Sequence, residues 1–310
     1  MNQLYLDSAR MLVQVAPFVF TDEALALKGG TAINLFTRDM PRLSVDLDLV
    51  FADPAVPREQ ALRRINAAIR HASERLSKSG FQTRATTAAG AGETKLLVRR
   101  GSIEVKIEVN FVLRGTVRPV RLASLTPRAR EALLADLEIP VASLEDIYGG
   151  KLVAALDRQH PRDLFDVLQL FENEGVTNGI RRAFVVYLVS HTRPVHEVLF
   201  PRLRDVTQDY ENNFVGMTLA PVSLDKLLEA RDRMLSELHA GLDENEVNFL
   251  RSLVRAEPDW SLLELPYLDT MPSLRWKLQN LEKLKASNPK KFSEQAKALD
   301  DALARARPDN

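Results

Sequence analysis

Residues 27–51 read LKGGTAINLFTRDMPRLSVDLDLVF and join a glycine turn to a strand that carries two acids. The turn, Gly29–Thr31, follows an apolar run and opens a helix-like pattern. The strand contains the alternating run Val45–Leu49, in which successive side chains point to opposite faces. Asp46 and Asp48 therefore share one face, and the apolar residues beside them share the other.

Two carboxylates on one strand face repel each other unless a cation lies between them. Mg²⁺ suits this position, because it takes hard oxygen ligands and commonly binds one or two carboxylates together with substrate phosphates. A Gly-Gly-Thr turn lets the backbone approach a phosphate, and the helix that follows offers N–H groups at its N-terminus. Turn and acids together predict nucleotide chemistry, although singly they are more often a plain turn and a solvated strand edge.

The composition is that of an ordinary globular protein. Of 310 residues, 45% are hydrophobic and 27% are charged, and 42 basic residues balance 42 acidic ones. The total charge does not indicate a strongly basic nucleic-acid binder, although a local basic surface is possible. The absence of cysteine excludes disulfides, thiol nucleophiles and thiolate zinc sites. Without a signal peptide or an apolar run of membrane-spanning length, we expect a cytoplasmic protein with no membrane partner.

Hydrophobic periodicity divides the chain into a mixed part, residues 1–140, and an all-helical part, residues 141–310. We predict an α+β fold, in which a mixed β-sheet flanked by helices precedes the helical part. Predicted helices cover 3–16, 31–38, 57–78, 143–158, 161–174, 178–191, 222–240, 243–255 and 273–286. Predicted strands cover 45–51, 81–87, 94–99 and 103–113, of which the last two are expected to pair around residues 100–102. A strand or helix end is predicted at 24–28 and a flexible turn at 88–92. Residues 302–310 are expected to fray.

The last predicted strand supplies a third acid. Along Glu104–Asn110 apolar and polar residues alternate, which places Glu108 on the polar face. The simpler interpretation is an amphipathic strand with a solvated face. The alternative makes Glu108 the third carboxylate of a metal site beside Asp46 and Asp48, where it would also act as base toward an attacking hydroxyl.

A second motif lies in the predicted helices that follow. The glycine pair at 149–150 is unfavourable inside a helix and suggests close approach by backbone or by a ligand. Lys151 follows at once, and Asp163 and Asp166 lie at the start of the next helix. In a functional interpretation, Lys151 neutralises a triphosphate, while one of the acids fixes a base or orients the lysine. In a structural interpretation, these are solvated charges on a helical hairpin.

Taken in order, these motifs resemble those of the AbiEii/AbiGii toxin family, which includes the MenT-type toxins. The family belongs to the nucleotidyltransferase superfamily built on the DNA polymerase β-like core. Four motifs within residues 27–167 carry the resemblance: Lys28-Gly29-Gly30-Thr31 with Arg42-x-Ser44-x-Asp46-x-Asp48, the strand acid after Lys106, Lys151-x2-Ala154-x3-Arg158, and Arg162-Asp163-x2-Asp166. The family usually has Asp where this sequence has Glu108, so the side chain here is longer by one methylene.

The resemblance implies a nucleotidyltransferase core at 1–140 and a helical domain at 141–310 that contributes Lys and Asp to the active site. It also implies a toxin that uses one or two Mg²⁺ ions to transfer a nucleotide from an NTP to RNA, often the tRNA 3′ end. A cognate antitoxin would be encoded nearby. The implied catalytic residues are Asp46, Asp48, Glu108, Lys151, Asp163 and Asp166, of which Asp46, Asp48 and Glu108 would bind metal. The implied nucleotide-binding residues are Lys28, Gly29, Gly30, Thr31, Ser44 and Lys151.

Other interpretations stay open at this point. The acceptor could be a small molecule or a protein, or the chain could be a catalytically weak RNA- or protein-binding homologue or a structural partner. The intact pair of Asp46 and Asp48 favours activity. The histidines show no metal-ligand spacing, and we expect them to be structural or surface residues. We expect Trp260, Trp276, Tyr187 and Tyr267 to lie in the core or to face a partner. Several arginines near the site strands could hold RNA phosphates or form a solvated face: Arg99, Arg100, Arg114, Arg118 and Arg121.

Overall fold

The computed structural model describes residues 3–87 and 93–307. The chain forms two compact units, the first comprising residues 1–147 and 214–221 and the second comprising residues 148–213 and 222–310. The boundary near residue 147 lies inside a helix, and the segment at 214–221 belongs to the first unit. The flexible turn expected at 88–92 lies outside the described residues.

The first unit is built on a seven-stranded mixed sheet with the strand order β3-β4-β5-β2-β1-β7-β6. Two neighbouring pairs are parallel, β2 with β5 and β1 with β7, and the others are antiparallel. Parallel neighbours require a crossover, and α3 lies in the crossover between β2 and β5. The strands are β1 (Leu25–Lys28), β2 (Asp46–Phe51), β3 (Gln82–Thr87), β4 (Glu93–Arg100), β5 (Ile103–Asn110), β6 (Arg121–Ser124) and β7 (Glu138–Val141).

Helices of the first unit pack on the sheet, α1 against β5 and α3 against β3. The alternation along β2 explains how the core and the acids separate: Leu47 and Leu49 are fully buried, whereas Asp46 and Asp48 are half-buried. The helices are α1 (Gln3–Val19), α2 (Gly29–Thr31), which continues as a π-helical turn over Ala32–Thr37, α3 (Arg58–Lys78), α4 (Pro127–Leu133) and the start of α5 (Leu144–Arg158).

The second unit is helical throughout its described residues. α6 packs against α10, and α12 packs against both α7 and α13, around buried aromatic residues such as Phe184 and Phe249. A capping box of Asp243 and Glu246 starts α11. After α5 the elements are α6 (Pro161–Phe171), α7 (Asn178–Ser190), α8 (Val195–Leu199), α9 (Thr207–Asn213), α10 (Leu224–Gly241), α11 (Glu244–Val254), 3₁₀ turns at Trp260–Leu263 and Leu268–Thr270, α12 (Pro272–Ser287) and α13 (Pro289–Ala306).

The predicted α+β class is confirmed, with a mixed sheet flanked by helices before a helical second part. Several predicted ends are wrong. The helix from Pro161 ends at Phe171 and not at 174, and the strand from Ile103 ends at Asn110 and not at 113. α1 continues through Pro17 to Val19, because a proline near the end of a helix removes a single backbone donor. Residues 302–306 belong to α13, where Leu303 is buried, so this part of the C-terminal segment is ordered helix. Within the described residues, no helix combines the length and apolarity that crossing a membrane requires.

Candidate active site

A row of charged side chains crosses four strands of the sheet. Lys28 of β1 lies opposite Asp48 of β2. Asp48 is in register with Glu108 of β5, which lies opposite Lys95 of β4. Residues in register on neighbouring strands project from the same face. The sheet therefore brings Asp46, Asp48 and Glu108 to one face, and we call Lys28, Asp48, Glu108 and Lys95 the charged row.

The glycine turn holds the backbone against the Asp48 carboxylate. Gly29 has a φ of +73°, and a Cβ at this position would lie 2.4 Å from Asp48 Oδ2. Glycine is required both by the left-handed backbone and by the space. Among the described residues, none lies at hydrogen-bond or ion-pair distance from the Asp48 carboxylate. Its oxygens are therefore available to a ligand.

The second glycine makes room for a buried guanidinium. A Cβ at Gly30 would lie 2.8 Å from Arg42 Nη2 and 3.1 Å from Ser44 Oγ. Arg42 is 3% exposed, and its Nη1 donates to the carbonyl oxygen of Leu43 at 2.9 Å. Sequence reasoning did not place Arg42 in the site, although the residue stands in the Arg42-x-Ser44 motif. Arg42 and Ser44 thus form the wall behind the turn.

Thr31 ties the turn to the strand that carries the acids. Its hydroxyl donates to the carbonyl oxygen of Asp46 and lies 3.0 Å from Ser44 Oγ. Thr31 is fully buried. The hydroxyl is therefore used inside the protein, where it fixes Asp46 relative to the glycine turn.

Lys28 places a positive charge beside the turn. Burial lowers the pKa of the Lys28 ammonium below its ordinary value, and the charges of Asp48 and Asp146 offset only part of this effect. Asp146 is itself buried at the start of α5, where it accepts hydrogen bonds from the backbone N–H groups of Val117 and Arg118. An anion near Lys28 would stabilise its protonated form further, so Lys28 is suited to a phosphate.

Glu108 is engaged by two lysines of the sheet. Lys95 Nζ lies 2.9 Å from one carboxylate oxygen, and Lys106 Nζ lies 3.4 Å from the other. Burial alone would raise the pKa of Glu108, but the hydrogen bond from Lys95 and the charge of Lys106 bring it below its ordinary value. A carboxylate with a lowered pKa is a weaker base. The contacts therefore favour a role in charge placement or metal binding over proton abstraction.

The carboxylates on this face fit a hard cation. In the part of the chain that the structure describes, no three His, Cys, Asp or Glu side chains already converge as a metal site. Asp46 and Asp48 nevertheless offer half-buried carboxylates on one face, and Gly29 leaves open the space beside Asp48 Oδ2 that a Cβ would fill. Mg²⁺ binds in this manner, through one or two carboxylates with phosphates and waters as further ligands.

The second predicted motif forms a buried ionic cluster within the second unit. Lys151 Nζ lies 2.9 Å from Asp163 Oδ1 and 2.9 Å from Asp166 Oδ2. All three side chains are buried, whereas Arg158, which contacts Asp163 at 3.0 Å, is largely exposed. Burial would raise the pKa of Asp163, but the charges of Lys151 and Arg158 lower it. We call these four residues the Lys151 cluster, in which the acids hold the lysine.

The glycine pair before Lys151 has two different environments. A Cβ at Gly149 would lie 2.8 Å from backbone atoms of Ala183 and Phe184, so this glycine permits close packing of α5 against α7. A Cβ at Gly150 would meet no other atom within 4 Å. Of the two explanations offered by the sequence, approach by backbone holds for Gly149.

The arginines expected near the site do not form one surface. Arg114 is 4% exposed, and its Nε and Nη1 have no hydrogen-bond partner among the described residues. A solvated face is therefore wrong for Arg114. Arg100 lies over the ring of Phe81, 3.6 Å from its centroid. Arg99, Arg100 and Arg121 are exposed, and Arg118 is half-buried.

The chain is similar to known proteins in both sequence and structure. A family model described as "Nucleotidyl transferase AbiEii toxin, Type IV TA system" matches residues 10–280. Among solved structures, the chain is similar to MenT4, a nucleotidyltransferase toxin from Mycobacterium tuberculosis H37Rv, with a TM-score of 0.59 and 18% identity. That similarity covers 88% of this chain and 92% of the other, and it shows a shared fold. A comparison with curated proteins gave no match.

Proposed function

We propose that this chain, which belongs to the AbiEii nucleotidyl transferase toxin family of type IV toxin–antitoxin systems, transfers a nucleotide from an NTP to an RNA acceptor. Family membership confirms the resemblance predicted from the motifs and makes the chain a nucleotidyltransferase toxin that has an antitoxin partner. The observation that carries the proposed chemistry is the glycine turn closed against Asp48 within the charged row.

In the proposed reaction, an acceptor hydroxyl attacks the α-phosphate of the NTP. A new P–O bond forms to the acceptor as the bond to pyrophosphate breaks, and the hydroxyl proton leaves to solvent or to a nearby base. Positioning and charge neutralisation supply most of the catalysis in phosphoryl transfer. The Gly29–Thr31 turn would present backbone N–H groups to the triphosphate, with the Lys28 ammonium beside it. Ser44 and Thr31 would hold this turn in place.

Asp46 and Asp48 would hold Mg²⁺, and Glu108 would join them by exchanging Lys95 for the ion. When bound, one or two Mg²⁺ ions supply neutralisation of the triphosphate and of the charge that develops on the leaving group. The half-buried position of Asp46 and Asp48 and the lack of an ion pair to Asp48 among the described residues support this assignment.

Lys151 is assigned to the triphosphate as a further proposal. Its ammonium is held by Asp163 and Asp166, so a contact with phosphate would require one of these carboxylates to be exchanged. The acids keep the lysine charged and oriented. This arrangement supports the orienting role proposed for Asp163 and Asp166.

RNA, and the 3′ end of tRNA within it, is the acceptor we propose from the family resemblance. The formal net charge of zero gives the chain little general affinity for RNA, so binding would depend on a local basic patch and would weaken as salt increases. Exposed Arg99 of β4 is a suitable member of such a patch; Arg121 of β6 lies toward the other edge of the sheet and would belong to a different one. We further propose that the chain acts in the cytoplasm and that a neighbouring gene encodes its antitoxin.

The deciding experiment supplies one α-labelled NTP at a time, with Mg²⁺ and total RNA, and follows label transfer together with pyrophosphate release. We expect one or more NTPs to label tRNA. Matched tRNA with a periodate-oxidised 3′ end should stay unlabelled, because its terminal hydroxyls are lost. Equal labelling of oxidised and intact tRNA would contradict the 3′-end assignment. Label on small molecules or on protein alone would contradict an RNA acceptor.

A further inference from the structure

The second unit contains a cavity of about 330 Å³ that the proposed reaction does not use. Its walls come from α8, α12, α13 and the end of α11. We call it the α12 cavity. A cavity of this size is in the range of small-molecule sites. Residues that give it a chemical character are His196, Glu197, Trp276, Lys277, Asn280 and Lys291.

A buried ammonium lies in the wall of the α12 cavity. Lys277 is 5% exposed, and its Nζ donates to the carbonyl oxygens of His191 at 2.7 Å and Arg193 at 2.8 Å. An ammonium has three N–H donors, so one donor remains after these two hydrogen bonds. Among the described residues, no carboxylate lies at ion-pair distance from Lys277. A buried cation without a counterion favours the approach of an anion.

The other charges of the cavity do not supply that anion. Glu197 is its acidic lining residue, and this carboxylate is engaged by Arg193 at 3.1 Å. Lys291 is exposed at the rim and has no ion-pair partner among the described residues. Two lysines therefore line a cavity whose acidic residue is already paired with Arg193.

The remaining walls are apolar and include an exposed aromatic ring. Leu281, Leu284, Leu299 and Val254 line the cavity, and Trp276 is 36% exposed. Burying a planar apolar group here would remove this surface from water, and an aromatic group would stack on the indole. The apolar walls, the indole and the cation together favour a ligand that has an aromatic ring and an acidic group.

We propose that the α12 cavity binds a small aromatic carboxylate, whose carboxylate accepts a hydrogen bond from Lys277 and whose ring packs on Trp276 and the leucines. Asn280 lies on the same helix one turn after Lys277 and is placed to donate a second hydrogen bond. The residues that line this cavity include no member of the charged row or of the Lys151 cluster, so the proposed binding site uses different residues from the nucleotidyltransferase chemistry.

The pH dependence of binding follows from the same geometry. Burial lowers the pKa of Lys277 to about 8, so affinity for the carboxylate falls as the pH rises through this value. Burial also lowers the pKa of His191 and of His196 below the ordinary value, so neither changes charge between pH 7 and 9. The charged groups that face Lys277 from the neighbouring segments are Arg193, Glu197 and Lys291.

The test uses 2-naphthoate as probe and uncharged 2-naphthamide as its matched control, with the full chain in solution. Binding is followed by the ¹H–¹⁵N resonances of the two indole N–H groups. Trp260 does not line the cavity and serves as internal reference. We expect 2-naphthoate to shift the Trp276 resonance, to leave Trp260 unchanged, and to bind at least about tenfold more tightly than 2-naphthamide. Equal affinity for the two probes, or no shift of Trp276 at millimolar 2-naphthoate, would overturn the proposal.

Two substitutions sharpen the test. Lys277→Met should lower the affinity for 2-naphthoate at least about tenfold. Lys283→Met, at an exposed position on the same helix, should leave that affinity unchanged. Since loss of the bonds to His191 and Arg193 can destabilise the protein, Asn280→Asp provides a second route. This substitution places a negative charge in the cavity without removing those hydrogen bonds, and it should also lower the affinity for 2-naphthoate. Wild-type affinity in Asn280→Asp, or equal affinities in both lysine variants, would contradict the site.

Discussion

The charged row and the Lys151 cluster differ in whether their carboxylates have ion-pair partners within the protein. On the strand face, Asp48 has no ion pair among the described residues, and Gly29 keeps the space beside its carboxylate open. In the cluster, both acids lie within 3 Å of a cation, and the side chain of Asp166 is fully buried. Protein groups that find partners inside the fold mainly stabilise it, and those that do not are available to a ligand. The same residue types therefore serve different purposes in the two units.

This comparison assigns different consequences to substitutions in the two regions. Changes on the strand face should reduce turnover and leave the free energy of unfolding nearly unchanged. Changes in the cluster should reduce the free energy of unfolding first. Each variant below is therefore measured in two ways, by the rate of nucleotide transfer and by denaturant unfolding.

Asp48→Asn carries the largest expected effect. It removes a proposed metal ligand, and we expect transfer to fall about 10³-fold or more, since metal-based charge stabilisation amounts to several kcal/mol and each 1.36 kcal/mol is tenfold in rate. The free energy of unfolding should stay within about 0.5 kcal/mol of wild type, because among the described residues Asp48 makes no side-chain hydrogen bond or short ion pair that would be lost. Turnover at the wild-type rate by folded Asp48→Asn would remove Asp48 from the site.

Asp166→Asn tests the opposite region. Removing one partner of a buried ion pair leaves charge uncompensated, so we expect a loss of about 3 kcal/mol in the free energy of unfolding. Arg158→Gln is the matched control, because Arg158 contacts the same cluster from an exposed position and should change stability by less than about 1 kcal/mol. Equal unfolding midpoints for the two variants would show that the cluster is not a stabilising centre.

Gly29→Ala probes the packing of the turn against Asp48. The added Cβ would lie 2.4 Å from Asp48 Oδ2 at a positive φ, so we expect a loss of about 2 kcal/mol in stability and a lower transfer rate. Gly101→Ala is the control, since Gly101 also has a positive φ but meets nothing within 4 Å. Gly101→Ala should lose only the stability that a Cβ at a positive φ costs, and it should keep the wild-type transfer rate. If Gly101→Ala loses as much activity as Gly29→Ala, contact with Asp48 is not the cause.

Much of the strand face can be predicted from the sequence. The alternation of Leu47 and Leu49 with the acids fixes which side of β2 is buried, and a glycine turn before a helix limits the backbone to few conformations. The pairing of β4 with β5 around residues 100–102 was predicted and is confirmed, and it places Lys95 opposite Glu108. The register between β2 and β5 cannot be predicted in this way, because these strands are far apart in sequence and single-strand patterns do not contain that information.

The Lys151 cluster was open to two interpretations for a related reason. Spacing places Lys151, Asp163 and Asp166 on two consecutive helices, but how these helices pack depends on contacts far apart in sequence. Gly149 is one such contact, since its missing side chain lets α7 approach α5. Short elements such as β6 and β7 escape prediction because four residues show too little periodicity.

Glu108 is intermediate between Asp48, which has no ion pair among the described residues, and the paired acids of the Lys151 cluster. Its substitution has the smallest expected effect on transfer rate and stability. Glu108 belongs to the strand face, yet Lys95 and Lys106 hold it as the acids of the cluster hold Lys151. Because both lysines are more than a third exposed, Glu108→Gln should reduce stability at neutral pH by less than about 1 kcal/mol. Glu104→Gln, on the same face of β5 and without an ion pair among the described residues, is the control and should show no change.

The pH dependence of Glu108→Gln distinguishes charge pairing from other causes. The pKa of Glu108 is lowered in the folded protein from an ordinary 4.5, so its stabilising contribution is complete above that value and is lost as the pH falls through the lower folded pKa. The difference in unfolding free energy between wild type and Glu108→Gln should therefore be present at pH 7 and shrink as the pH falls below the ordinary value of 4.5 and through the lower folded pKa. A difference that grows on acidification would contradict the pairing. We expect nucleotide transfer to slow by about tenfold or less, because the contacts of Glu108 disfavour a role as general base. Loss of a general base would slow transfer by roughly 10²–10⁴. A loss in that larger range would instead give Glu108 a direct part in the reaction, as metal ligand or as the base that activates the acceptor hydroxyl, and place it with Asp48 among the residues whose charge serves the reaction.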